Sequence, residues 1–399
     1  MRRIDYFDGV RGLAAMQVLG DHYSSSFTGR PSHWLYFLTA SDAAVFLFFL
    51  MSGFVLTPSF RKNPDDVALN MAKRGVRLGV PVAAALIVAL LLHSVAPNAA
   101  ARSAELSHSR YMIDQTNRLD QASWSNYLAD VMGVTMLAGY KETGLLAPLA
   151  NRMPSSATSL DPPIWSLHIE LWGSALVLVL VWASTQSRLT YIGVSAAAVA
   201  VIGVNPLLLF LVGHFCARVL ETDLVDRYTG VASQLAAALM VTVGIALCSN
   251  VQLPGIWWPH RLLDHGQLHT YSWFWWPHEL GAIVLFAGIL LSPSIQKCLS
   301  WPAMRYLGRM SFPVYLLHWP IMMVAGSCVY LWTATFGPRI AAASALAIGV
   351  AVTFSLAEVF ERWCDRPAVE LGRKLGKAHT PAQRADPTMP GTQRKSAAP

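Results

Sequence analysis

Apolar stretches of about 20 residues, separated by polar or charged breaks, recur from one end of the chain to the other. They lie near 8–27, 43–60, 79–96, 164–184, 190–204, 206–220, 230–249, 276–292, 311–334 and 338–361. Stretches of that length demand a bilayer as solvent, and a helix satisfies all its backbone polar groups internally there. The pattern therefore predicts an all-α, polytopic membrane protein with about ten transmembrane helices. The fifth and sixth stretches are short and share the Asn205-Pro206 break, so they form one irregular crossing or two.

Composition supports the same class. Of 399 residues, 54% are hydrophobic and only 13% charged, against about 25% charged in a typical soluble domain. A chain this long with so little charge could not cover its own surface in water. The net charge of +7 is too sparse for nucleic acid and fits basic loops facing anionic lipid. With the N-terminus inside, the inner connections hold Arg61, Lys62, Lys73, Arg74 and Arg77, then Arg188, then Arg218 and Arg227, then Lys297, Arg305 and Arg309. The short outer connections hold only Arg30, Arg261 and Arg339. Ten crossings with both termini cytoplasmic fit that distribution. Arg11 interrupts the first apolar run, so it does not read as a cleavable signal.

The five cysteines are scattered in or beside apolar segments and read as small core hydrophobes, with no disulfide or metal framework. Two outer segments are long. Residues 97–163 are polar with a short helix predicted around 124–138, and residues 250–275 are dense in aromatics. The aromatics form an interfacial belt or a sugar-stacking lip. The chain divides into a membrane domain over 1–367 and a disordered, basic cytoplasmic tail over 368–399.

Ionisable groups inside spanning segments cost about 2.5–3.5 kcal/mol or more each, so they need a partner or a task. Asp8 and Arg11 are three apart on one face of the first crossing and can neutralise each other. Arg11 and His22 are eleven apart; eleven steps of about 100° return to within roughly 20° of the start, about 16 Å along the axis. A cation low on a helix and an imidazole high on the same face could hold a long ligand, anionic at one end and reactive at the other. A snorkelling arginine and a hydrogen-bonded core histidine are the plainer readings. Asp42 opens the second crossing, and Ser52 with Gly53 permits close helix approach. Arg74 and Arg77 form a fork suited to phosphate, or simply anchor the inner boundary. At the fourth crossing, Trp165 and Ser166 precede Glu170, which lies one turn deep where capping does not explain it. His318 sits inside the ninth crossing, and Glu358 and Glu361 are expected to pair with Arg362 or the Arg74 group.

Taken in order, these elements are Asp8-Gly-Val-Arg11-Gly-Leu-Ala-Ala, Arg11-x10-His22, Phe48-Phe-x-x-Ser-Gly53, Arg74-x-x-Arg77, Trp165-Ser-Leu-x-x-Glu170 and Gly308-x-x-Ser…Tyr315-Leu-x-His318. Over about residues 4–367 the chain resembles the acyltransferase-3 family of integral membrane acyltransferases, which includes O-antigen, exopolysaccharide and Nod-factor acyltransferases. Pro313 departs from the family's usual residue, and no SGNH-type domain is appended. The resemblance implies transfer of an acyl group, usually acetyl, from cytoplasmic acyl-CoA to a hydroxyl of a cell-surface or lipid-linked carbohydrate. It implies a bacterial inner-membrane location, a bilayer, acyl-CoA and a glycan as partners, no resident cofactor and no metal. Oligomeric state stays open. On this reading Arg11, Arg74 and Arg77 hold the donor's phosphates. His22 acts as general base or transient acyl carrier, and Glu170 or Asp42 orients His22 or the sugar. Asp8, Ser52, Trp165, Ser166 and His318 support the site. The rival class is a flippase for a lipid-linked sugar, which would more often show duplicated halves, and no such internal symmetry is visible. A degenerate relative acting as a sensor or scaffold is a third class, disfavoured by the intact signature positions.

Overall fold

The computed structural model describes residues 4–28, 37–119, 124–141, 152–153, 155, 159–202, 205–221, 230–249 and 276–378. Every regular element among them is helical, with no strand. In chain order these are α1 (Asp5–Phe27), α2 (Ser41–Phe60), α3 (Val67–Val95), α4 (Ala99–Ser107), α5 (Arg110–Leu119), α6 (Trp124–Ala129), α7 (Leu167–Gln186), α8 (Arg188–Ile202), α9 (Leu207–Leu220), α10 (Val231–Cys248), α11 (Trp276–Leu291), α12 (Pro293–Leu299), α13 (Pro302–Ile321), α14 (Ser327–Thr333), α15 (Pro338–Phe360) and α16 (Arg366–Ala378). Local chemistry sets several of the ends. The Asp66 carboxylate caps α3 by accepting from Leu69 N at 3.1 Å, and Ser292 caps α12 by accepting from Ile295 N. Gly337 adopts φ +102° before Pro338 opens α15.

All ten predicted stretches contain helix. By length and apolarity, six helical spans among the described residues can cross a bilayer, seven if the pair Pro277–Leu291 and Pro293–Leu299, bent by 96°, counts as one. The expected tally of about ten is therefore not reached. The shorter α8 and α9 fall below that length, and α1 carries Asp5, Asp8, Arg11 and Asp21. The outward faces are apolar: Leu235 on α10 is 66% exposed and Val201 on α8 is 86% exposed. Such a surface belongs in lipid, and the protein is an integral membrane protein.

The centre is built by small residues that let helices touch. α1 packs chiefly on α13. A Cβ at Gly12 would come within 2.8 Å of Gly308 N, and one at Gly308 would collide with the backbone of Asp8. Gly53 of α2 and Gly213 of α9 meet each other's helices in the same way, against Phe210 and Leu50. α7 packs on α2, closing the core around Phe49, Leu50, Met51 and Phe210.

The last span runs from Pro338 to Gly376, 39 residues, through a π-helical turn over Glu361–Asp365. At 1.5 Å per residue that is about 58 Å, roughly twice a hydrocarbon core, so α16 projects beyond the bilayer. Residues 368–378, where the sequence predicts the start of a tail, are helical and pack on α3. The rest of the predicted tail lies outside the described residues, as does the aromatic segment 250–275.

Candidate active site

The α1–α13 crossing brings two histidines together. His22 Nδ1 and His318 Nε2 are 2.7 Å apart, with the rings nearly coplanar at 4°. On the other side of the His318 ring, Nδ1 faces the carbonyls of Tyr315 at 2.8 Å and Val314 at 3.1 Å. A carbonyl only accepts, so His318 Nδ1 carries its hydrogen and the neutral ring accepts at Nε2. His22 must then donate from Nδ1, which makes Nε2 its basic nitrogen. His318 is wholly buried, while His22 is half-buried. The edge of Trp319 meets the His22 ring at 5.2 Å between centroids, and Tyr111 of α5 stacks at 6.5 Å.

Arg11, two turns from the start of α1, lines a cavity of about 520 Å³ together with Asp8, Ser52, Arg74, Arg77 and Glu170. Tyr315 also lines it, held by Ser166 Oγ at 2.8 Å and by the Pro163 carbonyl. The Tyr315 ring lies 6.1 Å from that of His318. Tyr315 therefore touches both the cavity and the neighbourhood of His318. The helical spacing that places Arg11 and His22 on one face of α1 thus puts one on the cavity and the other beside His318, about 16 Å away.

Glu170 is not on His22's hydrogen-bonding edge. It forms an ion pair with Arg74 and accepts from Ser52 Oγ at 2.6 Å, while Arg74 Nε donates to Ser174 Oγ at 2.8 Å. Both charges are largely buried, at 9% and 12% side-chain exposure. Arg74 thereby has a carboxylate partner inside the bundle, and Ser52 serves that pair. Arg77 has no carboxylate within ion-pair distance among the described residues. Asp42 faces His278 Nδ1 at 3.8 Å. The Trp165 carbonyl accepts from His168 Nδ1 at 2.6 Å. Glu358 pairs with Arg309, and Glu361 with Arg366, correcting the expected partners Arg362 and Arg74. No group of three or more metal-ligating side chains occurs among the described residues.

A family model described as an acyltransferase domain matches residues 4–358. The chain belongs to the acyltransferase-3 family. Comparison with curated proteins and with solved structures returned no match. The motif residues quoted from the sequence lie on or beside α1, α2, α3, α7 and α13, which together with α16 line the cavity or carry the histidine pair.

Sequence reasoning named Tyr315 within a motif without giving it a role, and did not reach Ser174 or the His22–His318 bond. Tyr315 stands three residues before His318, on the same helix face, and that spacing was the available signal. It also missed a buried cluster between α6 and α7. Asp130 accepts from Tyr140 Oη, Ser159 Oγ and Leu160 N at 3.1–3.2 Å, and both carboxylate oxygens of Asp161 are buried without a hydrogen-bond partner among the described residues. Burial, and secondarily the Asp130 charge, pushes the Asp161 carboxyl well above its ordinary range; burial raises Asp130 too, against its hydrogen bonds.

Proposed function

We propose that this acyltransferase moves an acetyl group from acyl-CoA, entering from the cytoplasm, to a carbohydrate hydroxyl outside or across a bacterial inner membrane. The observation that carries the reading is the line from cavity to histidines: arginines at one end, Tyr315 in between, and the basic Nε2 of His22 at the other. A volume of about 520 Å³ is in the range of small-molecule and cofactor sites. The nucleotide end of acyl-CoA would lie among Arg11, Arg77 and their neighbours, with the thioester arm extended toward Tyr315. Arg74 would shape this end through Glu170. At the far end, the acceptor oxygen would attack the thioester carbon and lose its proton to His22 Nε2. As the C–O bond forms the C–S bond breaks, and His22 returns the proton to the departing thiolate. His318 holds the tautomer that this step needs and shares the imidazolium charge through its own backbone bond.

Membranes containing the protein, given acetyl-labelled acetyl-CoA and a glycan pool, should produce labelled ester. His22→Ala should abolish that product while the variant still extracts as a monodisperse species. Labelled glycan at the wild-type rate from His22→Ala would overturn the assignment of the base. No labelled product from the wild-type protein with any glycan pool would overturn the reaction. The orientation can be read by cysteine labelling, with 61–73 reached from the cytoplasm and 97–163 from outside.

A further inference from the structure

The cavity is not closed by the family's helices alone. Arg366, Val369, Glu370 and Arg373 of α16 line it, and α16 lies beyond residue 358, where the family match ends. A stripe of small residues at four-residue spacing seats α16 on α3. Ala368 is 1% exposed, and a Cβ on Gly376 would come 2.6 Å from the Lys73 side chain. That places α16 one turn from Arg77 along α3. Four of the six arginines on the cavity wall have a carboxylate beside them: Arg74 has Glu170, Arg309 has Glu358, Arg366 has Glu361, and Arg11 lies three residues from Asp8 on α1. The remaining two, Arg77 and Arg373, line the same cavity, are both exposed and form no ion pair among the described residues, although Asp365 on the same wall is near enough for its charge to act on Arg77. Guanidinium groups present planar forks of N–H donors that match phosphate oxygens, and like charges on one wall favour an anion between them.

We infer that Arg373 is a phosphate ligand for the nucleotide end of the donor, acting with Arg77, and that docking of α16 on α3 completes the donor site. This rests on the acyl-CoA reading above. It makes the recognition of a nucleotide-bearing donor depend on a helix outside the family's matched region, while the thioester arm is recognised elsewhere.

The test compares two donors in steady-state transfer: acetyl-CoA, and S-acetylpantetheine, which has the same thioester arm and no nucleotide. Arg373→Ala should raise KM for acetyl-CoA about tenfold, the loss of one charge-assisted contact, and leave KM for S-acetylpantetheine and both kcat values within about twofold. Arg373→Gln, which keeps the side chain's bulk, should behave the same way. Gly372→Leu, which puts a bulky side chain against the Lys73 backbone that a Cβ there already reaches at 3.5 Å, should reproduce the donor-specific rise. Lys374→Ala, on the exposed side of α16, should change neither donor. An unchanged KM for acetyl-CoA in Arg373→Ala, or an equal rise for both donors, overturns the assignment and leaves the acyl-CoA reading intact. If the wild-type protein uses neither donor, both fall together.

Discussion

Removing Arg74 tests whether its first task is to neutralise Glu170. The ion pair is largely inside the bundle, at 9% and 12% side-chain exposure, with Ser52 and Ser174 as the flanking hydrogen-bonding groups. In Arg74→Met the carboxylate keeps Ser52 and loses its charge partner. Breaking a buried pair by deleting one member costs about 3–5 kcal/mol, and a lone charge mid-helix in a bilayer about 2.5–3.5 kcal/mol. Glu170's slight exposure and its remaining hydrogen bond argue for the lower end, so we expect about 3 kcal/mol. That is about two decades in the unfolding equilibrium. Arg74→Met with Glu170→Gln removes the orphaned charge as well and should recover most of the loss, since a neutral pair of similar volume is nearly as stable as the ionic one. The measurement is unfolding of the purified protein by SDS in mixed micelles, without donor, followed by circular dichroism. A single variant as stable as wild type would refute the idea that this pair holds α3 to α7. A double variant no better than the single would show that the lost arginine contacts, not the stranded carboxylate, set the stability.

Three further outcomes follow from the geometry. His318→Ala deprives His22 of the acceptor that sets its tautomer, so kcat should fall about 100-fold with the donor KM unchanged, while His318→Gln, able to accept at the same place, should lose only about tenfold; equal losses in steady-state transfer assays would refute tautomer control. Gly308→Ala puts a methyl group into the Asp8 backbone and should destabilise by about 1–3 kcal/mol with loss of transfer, checked by SDS unfolding alongside activity; wild-type stability would show that α1 and α13 are not held at contact. For the cluster between α6 and α7, a carboxyl whose pKa is raised on folding lends stability in its protonated state, present below the ordinary carboxylate pKa of about 3.9 and lost as pH rises through the raised folded value. Asp161→Asn, uncharged at every pH, should flatten that decline in thermal midpoint across the pH range above 4, and an unchanged slope would remove Asp161 as its source.

The sequence alone determined what depends on neighbours along one helix. Twenty-residue apolar runs require helices in lipid, and all ten stretches are helical, because length and hydropathy are properties of a segment by itself. The 3.6-residue repeat likewise put Arg11 and His22 on one side of α1, and Ser52 with Gly53 announced a close crossing. Which side chains meet across those crossings is another matter. Nothing in the spacing of His22 or His318 says that their rings bond, since their separation of 296 residues is closed by the packing of α1 on α13, where Gly12 meets Gly308. Glu170 sits four residues from Ser166 on the same face, so local periodicity suggests a shared role. Ser166 instead bonds Tyr315 and Glu170 bonds Arg74. Partner choice between helices depends on crossing angle, depth and rotation, which are set by packing over the whole bundle. The tertiary structure therefore decided the acid–base pair, the buried ion pair and the seat of α16, while the chain's own periodicity decided which residues were available for them.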